Sequence, residues 1–367
     1  MAEMLEYLNS VLRFAINMGA SDIHIKPDKP PYIRASGQLY PIEIDPPTGQ
    51  DMAELVEKML SPGQLAEFRK NLEIDFSYYV PEFGRFRTNA YHQRGQINLA
   101  MRYVKAQVPA FDELHLPDIL KTISEAERGI VFVSGVTGSG KSTTLAAMIE
   151  HINQTEKCHI VTLEDPIEYL FEDAMCLINQ REVGLDTKDF HIALRSALRQ
   201  DPDVILIGEM RDRESFSSAL SAADTGHLVF TTVHATNASQ TITRVLDFFP
   251  ADEREQIRRG IASSLKSVIS QRLIPSKHGG VVPAIEVLVN TPIVRKLLEE
   301  DKLERLGTAI ESGAEDGMQS FNQAIYHLIK NDVVTEEEGL LKSTNPEALK
   351  MNLQGIFLDE GRRIIDV

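Results

Sequence analysis

The sequence predicts an α/β chain in two parts. A small α+β unit comes first, then a larger unit with a mostly parallel sheet that ends in a helical stretch. Three observations carry this. The chain has 367 residues, enough for two ordinary domains with buried cores. From Gly129 onward, compact apolar runs alternate with helix-like segments, the pattern of strands joined by helical crossovers. One of those runs feeds into the glycine-rich octapeptide Gly135-Val-Thr-Gly-Ser-Gly-Lys-Ser142, and a helical pattern follows it.

The elements follow in order. Residues 4–18 carry Leu5, Leu8, Leu12, Ala15 and Ile16 at helical spacing. Ser21-Asp-Ile-His-Ile-Lys26 alternates like a strand and stops at Pro27; Tyr32-Ile-Arg-Ala-Ser36 alternates again, with Gly37 as its turn. Residues 51–71 read as a helix. Three short strands fit residues 74–104, punctuated by Pro81, Gly84 and Gly95. Residues 106–117 hold two prolines and no period, so a linker is expected there. The first domain is therefore placed at 1–105 and the second at 118–367.

In the second part, Gly129-Ile-Val-Phe-Val-Ser134, His159-Ile-Val-Thr-Leu163, Val204-Ile-Leu-Ile207 and His227-Leu-Val-Phe-Thr-Thr-Val233 are runs of the kind buried in a parallel sheet. Ile257, Ile261, Leu265, Val268 and Ile269 mark one face of a long helix, and Phe321, Ile325, Leu328 and Ile329 mark another. Residues 299–316 hold seven acids against two bases, a solvated helical face. From about residue 290 to 367 the chain is expected to be helical.

Composition narrows the class. With 54 acidic against 38 basic side chains the formal net charge is -16, which argues against a protein held on nucleic acid by counterion release. Two cysteines, Cys158 and Cys176, build neither a zinc site of their own nor a disulfide framework. No stretch approaches the roughly 20 apolar residues of a membrane span, and the acidic start is unlike a signal peptide. A cytoplasmic, reduced protein is expected.

The octapeptide satisfies the Walker A pattern, and its residue types fit the task. Gly135, Gly138 and Gly140 let backbone N–H groups turn inward around phosphate oxygens, with Thr137 and Ser139 in the same loop and Thr143 opening the helix. Lys141 reaches the β- and γ-phosphates, and the Ser142 hydroxyl ligates magnesium. ATP or ADP with Mg2+ is the expected ligand set. Acids at the ends of parallel strands project into the same crevice. Val204-Ile-Leu-Ile207 runs into Gly208-Glu209, a Walker B position with glutamate, and another strand ends in Glu164-Asp165-Pro-Ile-Glu168.

These pieces resemble the secretion-ATPase superfamily, and within it the type IV pilus retraction ATPases of twitching motility. The residues carrying the likeness are Gly19-Ala-Ser-Asp-Ile-His24, the Walker A segment, Thr162-Leu-Glu-Asp-Pro-Ile-Glu-Tyr169, Leu198-Arg-Gln-Asp-Pro-Asp203, Gly208-Glu-Met-Arg-Asp212, and Thr225-Gly-His-Leu-Val-Phe230 with His234. Arg244-Val-Leu-Asp-Phe-Phe-Pro250, Ser267-Val-Ile-Ser-Gln271 and Gly317-Met-Gln-Ser-Phe321 extend it over nearly the whole chain.

The resemblance implies a PAS-like N-terminal domain joined to a RecA-like P-loop ATPase domain. It also implies a homohexamer with ATP between the two domains, working on an inner-membrane pilus platform protein. Glu209 and Glu164 would share magnesium coordination and water activation, with Ser142 and Glu209 as the magnesium ligands. His234 would sense the γ-phosphate or orient the site, and His227 would support its box. Arg87, Arg94 and Arg102 of the N-terminal domain are candidates to reach the phosphates. Assembly-type relatives carry a tetracysteine zinc insertion, which is absent here. Thr291-Pro-Ile-Val-Arg-Lys-Leu-Leu-Glu-Glu300 departs from the retraction pattern by lacking its second arginine, and Ala235 follows His234 where threonine is commoner. An accessory paralogue of a retraction motor therefore stays open, as does, further off, a secretion or DNA-transport ATPase.

Overall fold

The computed structural model describes residues 3–35, 37–104 and 108–356. The chain divides into two compact units, Met1–Gln107 with Glu168–Leu170, and Val108–Ile167 with Phe171–Val367.

In the first unit, helix α1 (Glu3–Asn17) buries Leu8, Val11, Leu12 and Ala15 along one stripe. Strand β1 (Asp22–Ile25) alternates as expected, burying Ile23 and Ile25. It is followed by β2 (Tyr32–Ala35) and by β3 (Gln38–Pro41), an exposed edge strand that its mixed composition does not announce. Ser36 of the second expected run lies outside the described residues. The helix expected over 51–71 is two helices, α2 (Gly49–Met59) and α3 (Pro62–Asn71). The break is chemical: Ser61 accepts from the Gln64 N–H, Gln64 answers to the Ser61 N–H, and Pro62 takes the first helical position where no N–H is needed. Then β4 (Glu73–Val80), β5 (Gly84–Gln93) and β6 (Gln96–Val104) form a meander. The sheet runs β3-β2-β1-β6-β5-β4, antiparallel throughout. Its inner face packs Phe76, Phe86, Leu99 and Met101 with Leu8, Leu12, Met52 and Leu55.

The second unit begins before the end of the expected linker. Residues 106–107 of that linker lie outside the described residues, while Phe111 and Leu116 are buried in this unit's core. Its elements are α4 (Ile119–Ser124), β7 (Gly129–Ser134), α5 (Lys141–Thr155), β8 (His159–Glu164), β9 (Leu177–Glu182), α6 (Phe190–Ala197), β10 (Val204–Ile207), α7 (Arg213–Asp224), β11 (Leu228–Val233), α8 (Ala238–Leu246), α9 (Arg254–Ser264), β12 (Leu265–Pro275) and β13 (Val281–Val289). The sheet order is β13-β12-β7-β11-β10-β8-β9, parallel except for β13. Alternate residues of one strand serve two cores. Ile130 and Phe132 of β7 face the layer of α6 to α9, while Val131 and Val133 face α4 and α5.

The long helix expected through Val268 and Ile269 is shorter than its apolar spacing suggests. The helical face read through Ile257 and Ile261 stops at Ser264, and Leu265, Val268 and Ile269 belong to strand β12. Leu265 and Val268 of β12 lie in the core with α6 to α9 and Ile269 in the core with α4 and α5, so both its faces are covered and its apolar residues follow one another without alternation. Such a run matches helical spacing by accident.

Beyond the sheet come α10 (Pro292–Glu299), α11 (Leu306–Ser312), α12 (Phe321–Lys330), α13 (Glu336–Lys342) and α14 (Pro346–Leu353). The acidic stretch 299–316 is the end of α10, two 3-10 turns and α11, whose Leu306, Ala309 and Ile310 are buried. Phe321, Ile325, Val334 and Leu349 pack on Ile274 and Val282. The part of the helical expectation beyond residue 356 lies outside the described residues. No described helix is long and apolar enough to cross a membrane.

Candidate nucleotide site

In a parallel sheet the strand ends share one edge, so neighbouring strands deliver their following residues to one crevice. Here β7, β11, β10 and β8 are consecutive neighbours, and Gly135, His234, Glu209 and Glu164 stand at their carboxyl ends.

The loop after β7 is closely confined. A Cβ on Gly135 would stand 2.3 Å from Ser139 Oγ and 2.7 Å from the Gln271 carbonyl oxygen, so no side chain fits there. Gly140, at φ 88°, opens α5 without any side-chain cap, leaving the first N–H groups of the helix to face the loop. Lys141 is buried, and its Nζ donates to the Gly135 carbonyl at 3.0 Å and the Val136 carbonyl at 3.2 Å. Ser139 Oγ is buried without a hydrogen-bond partner. Thr137 and Gly138 form the exposed tip, and Ser142 and Thr143 are half-buried in the first helical turn. A buried cation, a helix N-terminus without a side-chain cap and an orphan hydroxyl around glycines fit an anionic phosphate chain.

The acids lie on the neighbouring strands. Glu209 is held from two sides: Oε2 is 2.7 Å from an Arg211 guanidinium nitrogen, and Oε1 is 3.2 Å from His234 Nε2. The hydrogen bond to Glu209 raises the Arg211 pKa further, and Arg211 also stands 3.7 Å from Asp165 Oδ2. Glu164 is buried, accepting from Thr162 Oγ1 at 2.6 Å and from Gln180 Nε2 at 3.2 Å. Gly208 brings the two acid-bearing strands together: its N–H donates to the Leu163 carbonyl, and a Cβ there would lie 3.4 Å from Glu164 Cα. Thr232 Oγ1 donates to the Gly208 carbonyl at 2.6 Å and fixes the backbone just before Glu209.

Residues 1–301 match the model of the type II/IV secretion system protein family. This chain is a member of the type II/IV secretion system protein family. Among its relatives, the type IV pilus retraction ATPase PilT of Pseudomonas aeruginosa is 44% identical over 340 residues, covering 93% of this chain and 99% of that protein. The type IV pilus ATPase PilU of the same species is 38% identical, over 94% of this chain and 90% of its own. A crystal structure of the pilus retraction motor PilT with bound ADP superposes with a TM-score of 0.86 at 42% identity, over 93% of this chain and 98% of that one. The family resemblance read from the motifs is thereby established, and with it a RecA-like ATPase fold and an ATP hydrolase.

Other residues singled out in this secretion-family chain fall elsewhere. His227 sits at the amino end of β11, its Nδ1 at 2.9 Å from the Ala222 carbonyl, while His234 lies past the other end of that strand. It is thus a local structural histidine and not part of the crevice. Arg87 and Arg102 are direct cross-strand partners on β5 and β6 in the first unit, both exposed, and Arg102 pairs with Asp22 at 2.8 Å. Arg94 is apart from them. It forms with Gly95 the two-residue turn between β5 and β6, at φ 53° and 78°, a type I′ signature.

The motifs also leave part of the site unassigned. Gln271 of β12 accepts from Thr144 Oγ1 at 2.7 Å, and its carbonyl backs Gly135. It comes from 127 residues downstream, where no spacing rule connects it to the loop. Arg211, by contrast, is two positions past Glu209, a spacing visible in the sequence beside the Walker B acid.

Proposed function

We propose that this chain is a magnesium-dependent ATPase motor that powers type IV pilus retraction, working as a homohexamer on the cytoplasmic side against an inner-membrane platform protein. The observation that carries the reading is the phosphate-type loop sharing one sheet edge with Glu209, which His234 and Arg211 hold in place. The relatedness to PilT over nearly the full length of both chains supports the retraction assignment.

In this reading Gly135, Thr137, Gly138, Ser139, Gly140, Lys141 and Thr143 bind and orient the phosphates of ATP, and retain ADP after cleavage. The Ser142 hydroxyl and Glu209 are the groups suited to hold magnesium, which supplies charge neutralisation at the phosphate oxygens. Glu164 and Glu209 orient the attacking water and accept its proton. His234 keeps Glu209 in register. Arg87, Arg94 and Arg102 are the N-terminal arginines proposed to stabilise phosphate charge, and the adjacent pair Arg87 and Arg102 is the arrangement best suited to act together. Residues 1–105 and 118–367 then move as two domains about a hinge within 106–117.

A second reading, an accessory paralogue that acts beside an active retraction ATPase, is favoured by the retraction-pattern arginine missing from the segment that forms α10. A nucleic-acid or secretion substrate finds no support in the net charge of -16.

The test is turnover and binding with two variants, then motility. Lys141→Ala should lose tight nucleotide binding, whereas Glu209→Gln should bind nucleotide and fail to hydrolyse it. Normal hydrolysis by Glu209→Gln removes the assignment. Expression in a twitching bacterium lacking its own retraction ATPase then separates motor from accessory: the motor restores motility alone, and the accessory does not.

A further inference from the structure

We propose that Glu286 is a positioning residue for His234. The inference rests on the reading of His234 as the partner of Glu209. β11 ends at Val233 and α8 begins at Ala238, so His234 rides on a short crossing whose downstream anchor is the start of α8. That anchor is made from β13: Glu286 Oε1 accepts the Ala238 N–H at 2.8 Å. The Asn237 side chain caps the next exposed donor, the Gln240 N–H, at 2.8 Å, and Gln240 Oε1 takes the Thr236 N–H at 2.6 Å.

Glu286 is a costly choice for an anchor, because it is only 9% exposed and burial pushes its pKa up. Its neighbours on β12 are Ser270, directly opposite it in the strand register, and the charge of Arg272. Ser270 Oγ in turn accepts from Ser134 Oγ at 2.9 Å, and Ser134 is the last residue before Gly135. Buried polar groups therefore extend from Ser134, at the root of the phosphate loop, through the cross-strand neighbours Ser270 and Glu286 to the Ala238 N–H at the root of the His234 segment. A requirement for packing alone would be met by an apolar side chain of the same volume. A carboxylate in this place fixes a backbone position.

Glu286→Met tests this, since it keeps the volume and removes the acceptor of the Ala238 N–H. Turnover number should fall about tenfold with KM for ATP within about twofold of the parent. Glu286→Gln, which keeps an amide oxygen for the Ala238 N–H, should recover most of the loss. In a His234→Ala background, Glu286→Met should change turnover less than about twofold, because its effect passes through His234. Equal losses in both backgrounds, or no loss in the parent, overturn the proposal. If His234→Ala alone turns over normally, the reading of His234 fails and Glu286 has nothing to position. If His234→Ala is slow while Glu286→Met is not, only the Glu286 inference fails. Should Glu286→Met not fold, Ala238→Pro, which removes the N–H that Glu286 accepts at the first helical position, takes its place in the same cycle.

Discussion

Thr232 shows how a single hydroxyl acts on the site. Its side chain is buried beneath the crevice and donates to the Gly208 carbonyl, so the peptide that carries Glu209 is tied to β11. Thr232→Val keeps the shape and leaves that carbonyl one donor short, at a cost of about 1 kcal/mol, read as a lowered melting temperature. An unchanged melting temperature would show that the bond contributes nothing. Cys158 gives a prediction in pH. Burial, followed by the contact with the Cys176 thiol, pushes its pKa up to about 12. The thiolate is the reactive form. Alkylation of Cys158 should therefore climb about tenfold per pH unit from 7 to 10 without levelling. A plateau near pH 9 contradicts that environment. The two cysteines also mark what sequence conveys at this scale. They are 18 positions apart and in no metal-type spacing, yet their sulfurs lie 3.3 Å apart, because β8 and β9 start opposite each other at His159 and Leu177. Lys141, Ser142, Glu164 and Glu209 were legible because their chemistry sits in short contiguous motifs. Gln271 was legible only as the end of a family segment and without a role, and Glu286 not at all, because only sheet order brings them near the loop.

At the scale of elements, the join between β7 and α5 is the tightest. Gly135→Ala would drive a methyl into the Gln271 carbonyl, which belongs to a strand fixed between β7 and β13 and has little room to withdraw. Gly138 has open space around its Cβ position and needs only its φ of 77°. Gly138→Ala should therefore cost about 1 kcal/mol, and Gly135→Ala about 2 kcal/mol or more together with nucleotide affinity. The two are compared by thermal melting and by titration with a fluorescent ADP; equal effects would show that crowding by β12 does not govern the loop. The alternation of strands and helices was readable wherever apolar runs were bounded by turns, as at β7, β8, β10 and β11. It was not readable at β3 and β9, short edge strands with mixed polarity, or at β12, whose two covered faces erase the alternation that would distinguish it from the end of α9. The Ser61-Pro62 break inside residues 51–71 was present in the sequence as a capping signature, and the apolar period across it concealed the break.

For the whole molecule, the question is whether one chain suffices for turnover. The loop, Glu164, Glu209 and His234 all belong to the second unit, while the arginines proposed to stabilise phosphate charge belong to the first. In the hexameric motor reading turnover depends on ring formation, so assembly and hydrolysis are linked by mass action. ATP hydrolysis per chain should then rise with protein concentration and level off once rings dominate. Arg102→Ala should lower the plateau without moving the concentration at which it is reached, because Arg102 is bound locally to Asp22 and sits on an exposed sheet face. Added DNA should leave the rate unchanged, as the net charge of -16 gives a polyanion no general attraction. Activity that is constant from nanomolar concentration upward would mean that each chain completes its own site. Background activity at every concentration, with nucleotide still bound, would pass the lead to the accessory reading; hydrolysis that appeared only on mixing with a paralogous retraction ATPase would then identify the partner that supplies the missing groups.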